Sequence, residues 1–332
     1  MSTKIHANTL HLGPNLQITF QRTLRIPDDG ETYPLPPGLG DFPIRRVDDY
    51  IDRVPADWRE HGGVFIPMYQ REAMWLCFDH RKDWRPTALK IAVGKVCAIT
   101  GDPWSEILRD DPQDYVVTPD QPWLDGISVG DGHIRQFVAM PLGMGYTVEG
   151  QITGDETHGG IQLKAFEPKA GLFDKPASSH VRFGAPESVY DVCFQAQPTC
   201  GAMGLAAGGR ICQSIYPDPH SLEIWDPKNT SRSFVHIVNS DLWREITGEA
   251  APPTPVTARE YERAGLPWFE LYDEHRGTLK GSAALRRVKS VKEKDLEKST
   301  HPLQQDGSVA VPVVVKLGTK GASSVDIRDG DW

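Results

Sequence analysis

Residues 133–166 read HIRQFVAMPLGMGYTVEGQITGDETHGGIQLKAF, and this stretch predicts the class of fold. Its segments HIRQFVAM, YTVEGQIT and GIQLKAF are short and β-like, and Gly, Asp and Pro separate them. DYVVT, which begins at Asp114, is a similar run. This spacing is typical of an antiparallel meander or sandwich. Alternating βαβ units are missing, which argues against a doubly wound nucleotide-binding fold.

Upstream of this stretch the sequence predicts further strands. NLQITFQRTLRI, at 15–26, alternates as a strand does, and the proline-rich segment 27–43 predicts an extended loop. TALKIAVGKVCAIT predicts a hairpin whose two-residue loop, Gly94-Lys95, suits a type II′ turn. ADWREHGG predicts one short helix that ends at glycine.

Helices are predicted mainly near the C-terminus. Thr257 with Glu260, and Ser290 with Glu293, have the spacing of capping boxes that open short helices. We therefore expect a mainly β body over 1–250, short helices with a basic segment over 251–300, and a strand with a polar tail over 301–332. A further boundary within 168–187 is an alternative division of the body.

The composition is that of a globular chain that avoids nucleic acid. Its 332 residues include 31 Gly, 27 Pro and nine Trp, which favours many short strands and turns. The net charge of −9 opposes binding to DNA or RNA. Segment 276–298 carries eight Lys/Arg against three Asp/Glu. This basic segment is either a solvated face or a contact for an anionic partner.

The cysteines and apolar runs predict a cytoplasmic protein without a membrane span. Five Cys occur without a CxxC pair, and MSTKIHANTLHLG has no apolar core of signal-peptide length. VAVPVVV, with seven residues, is the longest uninterrupted apolar run and is too short to cross a bilayer. No motif indicates a cofactor.

One short pattern occurs twice: REHGGVFIP contains His61, and ETHGGIQLK contains His158. In α/β-hydrolases a His-Gly-Gly loop supplies oxyanion donors, but that interpretation requires a GxSxG elbow, which this chain lacks. We therefore interpret both copies as turns that lead into strands. His158 remains a catalytic candidate under an enzyme hypothesis.

The most distinctive pattern is Trp close to an acid in turn-rich sequence. It occurs as Trp104 with Glu106, Trp123 with Asp125, Trp225 with Asp226, and Trp268 with Glu270 and Asp273. A flat ring beside a carboxylate suits a polar ring such as a sugar, because the ring stacks and the carboxylate accepts hydroxyl hydrogen bonds. Alternatively, such indoles plug the ends of a sandwich.

Three strand positions are further candidates. His133, Arg135 and Glu149 share one face if both of their segments are strands, either as a binding floor or with Arg135 and Glu149 in a cross-strand ion pair. With His133 and Glu149, Asp125 and His158 complete the catalytic candidates. Arg210 follows the glycine-rich CGAMGLAAGG and is a candidate anion contact, although no P-loop or GxGxxG motif is present.

Cys193, Cys200, Cys212 and His220, followed by His236, form a loose series of thiols and imidazoles. Their gaps match no familiar zinc site, so a metal is the weaker interpretation and buried thiols the stronger. Cys200 is a candidate nucleophile if a His lies nearby in space.

QPWLDGI, IRQFVAMPLGMGYTVEGQITG and LPWFELYDE resemble phrases of a family of uncharacterised bacterial and fungal proteins, over most of residues 25–290. This resemblance implies no activity, cofactor or partner.

Three functional hypotheses remain. The first is a soluble β-rich binding or interaction protein with a Trp/acid site for a polar ligand or a protein partner. The alternative is an acid/base enzyme, of hydrolase or lyase type, that acts on a polar small molecule or glycan. The third is a thiol/imidazole metal protein.

Overall fold

The computed structural model describes residues 3–82, 84–173, 201–264, 267–272 and 277–300, with 309, 311 and 314–318 near the C-terminus. The described residues are mostly antiparallel β structure, with 41% strand and 16% helix. The described strands form one 17-stranded sheet and one two-stranded sheet. The predicted class, a β-rich body with a small helical part, is confirmed.

The strands are β1 (Lys4–His6), β2 (Thr9–Leu12), β3 (Leu16–Thr23), β4 (Thr32–Tyr33), β5 (Gly38–Asp41), β6 (Arg45–Arg46), β7 (Val64–Pro67), β8 (Ala73–His80), β9 (Thr87–Val93), β10 (Val96–Cys97), β11 (Val116–Thr118), β12 (Trp123–Leu124), β13 (Gly126–Gly130), β14 (His133–Pro141), β15 (Ile161–Pro168), β16 (Ala202–Cys212), β17 (Trp225–Val238), β18 (Trp268–Tyr272) and β19 (Val314–Gly318). The helices are α1 (Ala56–His61), α2 (Val148–Thr153), α3 (Ser240–Thr247), α4 (Ala258–Arg263), α5 (Ala283–Arg286) and α6 (Val291–Glu297). Two 3₁₀ turns lie at Val47–Tyr50 and Leu222–Ile224.

The large sheet folds into two layers around one core. One layer pairs β2, β3, β8, β14 and β16, and the other pairs β7, β17, β15, β9 and β11. The layers join where Ala202 and Met203 of β16 pair with the end of β17. Alternate apolar side chains of both layers enter the same cluster, including Ile18, Leu76, Ile91, Leu163 and Val235. Burial of this inner face supplies the main driving force for folding.

Helices cover parts of the outer faces. Beside β7 and β17, α1 and α3 pack Trp58 and Trp243 against Phe65. On the outer face of β14 and β16, Val291 of α6 packs with Val138. The part of the outer face of β9, β15 and β17 that these helices do not cover carries polar side chains.

Several local predictions are confirmed, and one turn type is corrected. The strand at 15–26 is β3, and α1 ends with Gly62 as its C-cap. β9 and β10 form the predicted hairpin, with Val93 opposite Val96. Gly94 and Lys95 have φ of +55° and +58°, so the turn has the two left-handed residues of type I′ and not type II′.

The predicted strand YTVEGQIT is wrong, because this segment contains helix α2. The Thr147 hydroxyl accepts a hydrogen bond from the Gly150 N–H at 3.0 Å and caps the helix N-terminus. Gly154 has φ +88° and ends the helix in the left-handed conformation. These end signals outweigh the β-like alternation of a six-residue segment.

The C-terminal helices begin as predicted. Both capping boxes are present, at Thr257 with Glu260 and at Ser290 with Glu293. Leu285 and Val288 belong to the main core, so this region packs against the β body. Near the end of the chain, β19 pairs with β18 in parallel. Within the described residues, no helix has the length and apolar character needed to cross a membrane.

Candidate binding groove

An open groove of about 820 Å³ lies over the outer face of β15 and β17. Its floor includes Gln162 and Phe234, and one side is the loop that follows β10, with Trp104 and Glu106. The opposite side is formed by α1 with His61. The groove is therefore built from strands that position its floor and short segments that form its sides.

Strand register sets the floor in two rows. Ala92 and Phe234 flank Gln162 in one row, because β9 and β17 both pair with β15. In the next row, Lys90 and Arg232 lie opposite Lys164. Three cationic side chains are consequently aligned across three neighbouring strands on one face, where their mutual repulsion requires compensation.

Groups of the loop that follows β10 compensate the charge of Lys90. Its Nζ lies 2.7 Å from Asp114 Oδ2, and both side chains are 2% exposed. The same Nζ donates to the carbonyl of Ile107. Arg109 N–H donates to Asp114 Oδ1 at 2.9 Å. A buried ion pair thus fixes both ends of the loop segment 107–114 to β9.

Trp104 and Glu106 are joined to each other and to β15. The indole Nε1–H of Trp104 donates to Glu106 Oε1 at 2.8 Å. Lys164 Nζ donates to Glu106 Oε2 and to the Glu106 carbonyl, each at 2.7 Å. Trp104 N–H donates to the carbonyl of Lys95 at 2.8 Å, which ties the loop to the hairpin turn. The half-buried indole is therefore held in one orientation.

Glu106 is an ionised acceptor and a poor proton donor. Burial opposes its ionisation, but hydrogen bonds from Lys164 and Trp104 outweigh burial and lower its pKa. Each carboxylate oxygen already has one donor, and each retains a lone pair for a further donor. This chemistry suits the binding of hydroxyl groups more than general acid catalysis.

The two His-Gly-Gly segments meet at β17, on the opposite side of the groove. β7 and β15 both pair with β17, and both register with its Val235. A Cβ at Gly63 would lie 2.3 Å from the Phe234 carbonyl oxygen, and one at Gly160 would lie 2.4 Å from that of Val235. Their φ values are +89° and +54°. Glycine is therefore required where each segment crosses β17, which is the physical reason for the repeated pattern.

The histidines of these segments extend an aromatic series. His236 is stacked between Trp58 and Phe234, with ring centroids 4.4 and 4.2 Å away. The ring centroids of Phe234 and His61 are 5.3 Å apart, and those of His61 and His158 are 6.5 Å apart. This series connects the packed interior at α1 to the exposed imidazole of His61.

Burial lowers the pKa of two imidazoles of this series, those of His236 and His158. Burial lowers the pKa of His236 to about 4, and its Nε2 lies 3.0 Å from the Gly62 carbonyl, to which it donates. Burial, with the charges of Lys95 and His61, lowers the pKa of His158. His61 Nδ1 donates to the Asp57 carbonyl at 2.7 Å.

The other Trp/acid pairs do not line this groove. Trp123 packs edge-to-face on Trp75, with centroids 6.2 Å apart. Asp125 is buried and accepts a hydrogen bond from Gln213 Nε2 at 2.7 Å. Burial raises the pKa of Asp125 to about 7.

Two further indoles are buried in separate clusters. Trp225 Nε1–H donates to Asp218 Oδ2 at 2.9 Å, and half-buried Asp226 accepts from the Lys228 N–H in a turn. Trp268 packs in the main core against Tyr33 and Tyr261, and Asp273 lies outside the described residues. The four Trp/acid pairs thus do not share one opening, and Trp104 is the member that faces the groove.

The strand candidates lie on β14, β16 and α2. His133 is opposite Cys212, and Arg135 is opposite the exposed Arg210. Arg135 pairs with Glu293 at 2.8 Å, so the expected pair with Glu149 is not formed.

Glu149 instead supports the second His-Gly-Gly loop. The buried carboxylate accepts from the backbone N–H groups of Thr157, His158 and Gly159 at 2.8–3.1 Å. It therefore positions the loop that contains His158.

The metal candidates are only partly described. Cys193 and Cys200 lie outside the described residues. Cys212 is an exposed free thiol, and His220 packs on Phe173 and Trp225. In the part of the chain that the structure describes, no group of three or more His, Cys, Asp or Glu is placed to hold a metal.

Most cations of the basic segment bind within the protein. Arg286 donates to the Val129 carbonyl at 2.7 Å, Lys292 donates to the Asp28 carbonyl at 2.7 Å, and Lys294 pairs with Glu297 at 3.0 Å. Lys289 and Lys298 contact Glu297 and the Met144 carbonyl. The contacts of Arg286, Lys292 and Lys298 attach the C-terminal helices to the body.

Sequence reasoning missed Lys90, Lys164 and Arg232. The available signal was one lysine in each of two largely apolar strand segments, ALKIAV and IQLKAF. Buried lysines require a partner, so such positions mark a buried ion pair or a polar site.

Comparisons with protein families, with curated proteins and with solved structures found no match.

Proposed function

We propose that this protein is a binding module that takes a polar, ring-shaped ligand, of which carbohydrate is the best-fitting class, in the groove beside Trp104. The observation that carries the proposal is the fixed pair of a half-buried indole and an ionised carboxylate at 2.8 Å, on an open groove. The indole offers a face for the apolar side of a sugar ring, and Glu106 accepts from hydroxyl groups.

The alternative, an acid/base enzyme, has weaker support. Asp125 and Glu149 are buried, bind protein groups and do not line the groove. Glycoside hydrolysis needs one carboxyl group that is protonated and a second that is ionised across the cleft. Glu106 is held ionised, so it does not meet the first requirement.

The proposal also includes a cytoplasmic location and the family resemblance. Cys77, Cys97 and Cys212 are free thiols, which supports a reducing, cytoplasmic environment. We also retain the resemblance to the bacterial and fungal family as a hypothesis. A protein partner is the second class of occupant for the groove, and it would remain if no sugar bound.

The test is saturation-transfer NMR on the full chain with a panel of neutral and acidic mono- and oligosaccharides. We expect transfer to ring protons of at least one sugar, and loss of this transfer in Trp104→Ala. Ile107→Ala is the matched control, since Ile107 is 63% exposed on the same loop and does not line the groove. Transfer that is equal in both variants, or absent for the whole panel, would contradict a sugar site at Trp104.

A further inference from the structure

The groove has an excess of positive charge, although the chain as a whole carries −9. Its charged lining residues are Lys4, Arg46, Lys95, Arg232, Asp48, Glu60 and Glu106. Asp48 pairs with Arg46 at 3.2 Å, and Lys164 below the loop pairs with Glu106. Arg232 lies 4.0 Å from Glu106, which Lys164 already binds. Lys4, Lys95 and Arg232 thus outnumber Glu60, the one acid without such a pair among the described lining residues.

Two of these cations, Lys95 and Arg232, lie near Trp104. Lys95 is adjacent because its carbonyl accepts from the Trp104 N–H at 2.8 Å. Arg232 Nη1 is 4.0 Å from Glu106 Oε1, the oxygen that accepts from the indole. Arg232 is also 78% exposed, so its guanidinium retains donors for another group.

β1 brings the third cation to the same place. The Thr3 hydroxyl donates to the Arg232 carbonyl at 3.0 Å, which holds the start of β1 against β17. Lys4 is the next residue and is exposed at the groove. Cations from the hairpin turn, from β17 and from β1 therefore line the same groove as Trp104.

We infer that the ligand is an acidic sugar or sugar-like ring, whose carboxylate, sulfate or phosphate group is bound by Arg232, Lys95 and Lys4 while the ring stacks on Trp104. This inference rests on the proposed function and names its ligand class. An arginine binds such oxyanions through two parallel N–H donors, and the lysines contribute point charges. The ring supplies the apolar contact that free phosphate lacks.

The experiment compares glucose, glucuronate, glucose 6-phosphate and inorganic phosphate by NMR titration of the full chain. We expect either acidic sugar to bind about tenfold more tightly than glucose, since several ion pairs at a partly exposed site each contribute modestly. The preference should fall with added salt. The relative affinity of the two acidic sugars identifies the anionic group.

Charge-removing variants assign the effect to the groove. Arg232→Ala and Lys95→Ala should abolish the preference, so that each variant binds the acidic sugars no more tightly than it binds glucose. Lys228→Ala is the matched control, because Lys228 is an exposed cation on the same strand and does not line the groove.

The outcomes separate the two proposals. Equal affinity for glucose and both acidic sugars, with all binding lost in Trp104→Ala, overturns this inference and leaves the proposed function intact. Inorganic phosphate that binds as tightly as glucose 6-phosphate, without dependence on Trp104, overturns both. Binding of no sugar also overturns both.

Discussion

Lys90 on β9 and Lys164 on β15 lie directly opposite each other, and both bind the same loop. Two adjacent ammonium groups on one sheet face repel each other. Asp114 and Glu106 supply the compensating charges, and both belong to the loop that carries Trp104. The shape of the groove thus depends on two lysines inside the sheet.

The buried pair of Lys90 and Asp114 should dominate the stability of this loop. Lys90→Met leaves the buried Asp114 carboxylate with only its longer contact to Arg109 Nε, at 3.3 Å, and we expect a loss of about 3 kcal/mol in the free energy of unfolding. Urea denaturation measures it. The double variant Lys90→Met/Asp114→Asn should recover much of the loss, and a double variant no more stable than the single one would contradict the ion-pair explanation.

Glu106→Gln should weaken ligand binding with little effect on stability. The Glu106 side chain is 53% exposed, so the loss of its pair with Lys164 should cost less than about 1 kcal/mol. The neutral amide is a poorer acceptor for ligand hydroxyls than the carboxylate. NMR titration with the sugar that binds best should show a raised Kd beside an almost unchanged urea midpoint. An unchanged Kd would remove Glu106 from the site.

His236 should make the protein less stable in acid. Its pKa falls from 6.5 to about 4 on folding, because burial disfavours the charged ring. As the pH falls, the unfolded chain therefore takes up a proton at His236 before the folded protein does. The stability that the neutral ring contributes is fully present above pH 6.5 and is lost as the pH falls toward 4. The free energy of unfolding should be lower by roughly 3 kcal/mol at pH 4 than above pH 6.5 on account of this group.

Thermal unfolding of wild type and His236→Phe between pH 4 and 8 measures this effect. Phenylalanine keeps a flat ring between Trp58 and Phe234. The variant should lose less stability than wild type over this range, whereas identical pH profiles would show that His236 does not contribute.

Asp125 should have the opposite dependence on pH. Burial raises its pKa from 3.8 to about 7, so the folded protein holds a proton that the unfolded chain releases. Stability is therefore greatest below pH 3.8 as far as this group is concerned, and it falls as the pH rises through 7. Asp125→Asn keeps an oxygen acceptor for Gln213 and should be more stable than wild type at pH 8, by on the order of 2 kcal/mol. A variant that is less stable at pH 8 would contradict the assigned pKa.

The requirement for glycine in the second His-Gly-Gly segment can be tested by comparing alanine variants of Gly160 and Gly154. Gly154 also has a positive φ, but its position has free space around it. Gly154→Ala faces no atom within 4 Å and should cost about 1 kcal/mol for its positive φ. Gly160→Ala also places a Cβ 2.4 Å from the Val235 carbonyl oxygen, so it should lose roughly 1–3 kcal/mol more. Urea denaturation of both variants compares them, and equal losses would argue against the close approach to β17.

Local sequence signals predicted most of the fold but only part of the site. The alternation in β3, the glycine turn after β9 and the capping box at Ser290 each act within a few residues, so they can be recognised without tertiary structure. The segment at 148–153 was mistaken for a strand because its β-like alternation is too short to outweigh the cap at Thr147.

The groove depends on contacts that are distant in sequence. Lys164 reaches Glu106 across 58 positions, and Arg232 joins the same row only through the pairing of β15 with β17. The Trp/acid pattern predicted Trp104 and Glu106 as a pair, but it gave the same weight to Trp225 and Trp268, which are buried. Burial is a tertiary property, and the four patterns look alike without it.

The most direct test of the central claim is the indole N–H signal of Trp104 in an ¹⁵N-labelled full chain, assigned by comparison with Trp104→Phe. The account predicts that titration with the best-binding acidic sugar shifts this signal in a saturable way, while the indole signal of fully buried Trp243 stays in place. A saturable titration that moves other indole signals and leaves that of Trp104 unmoved would contradict it.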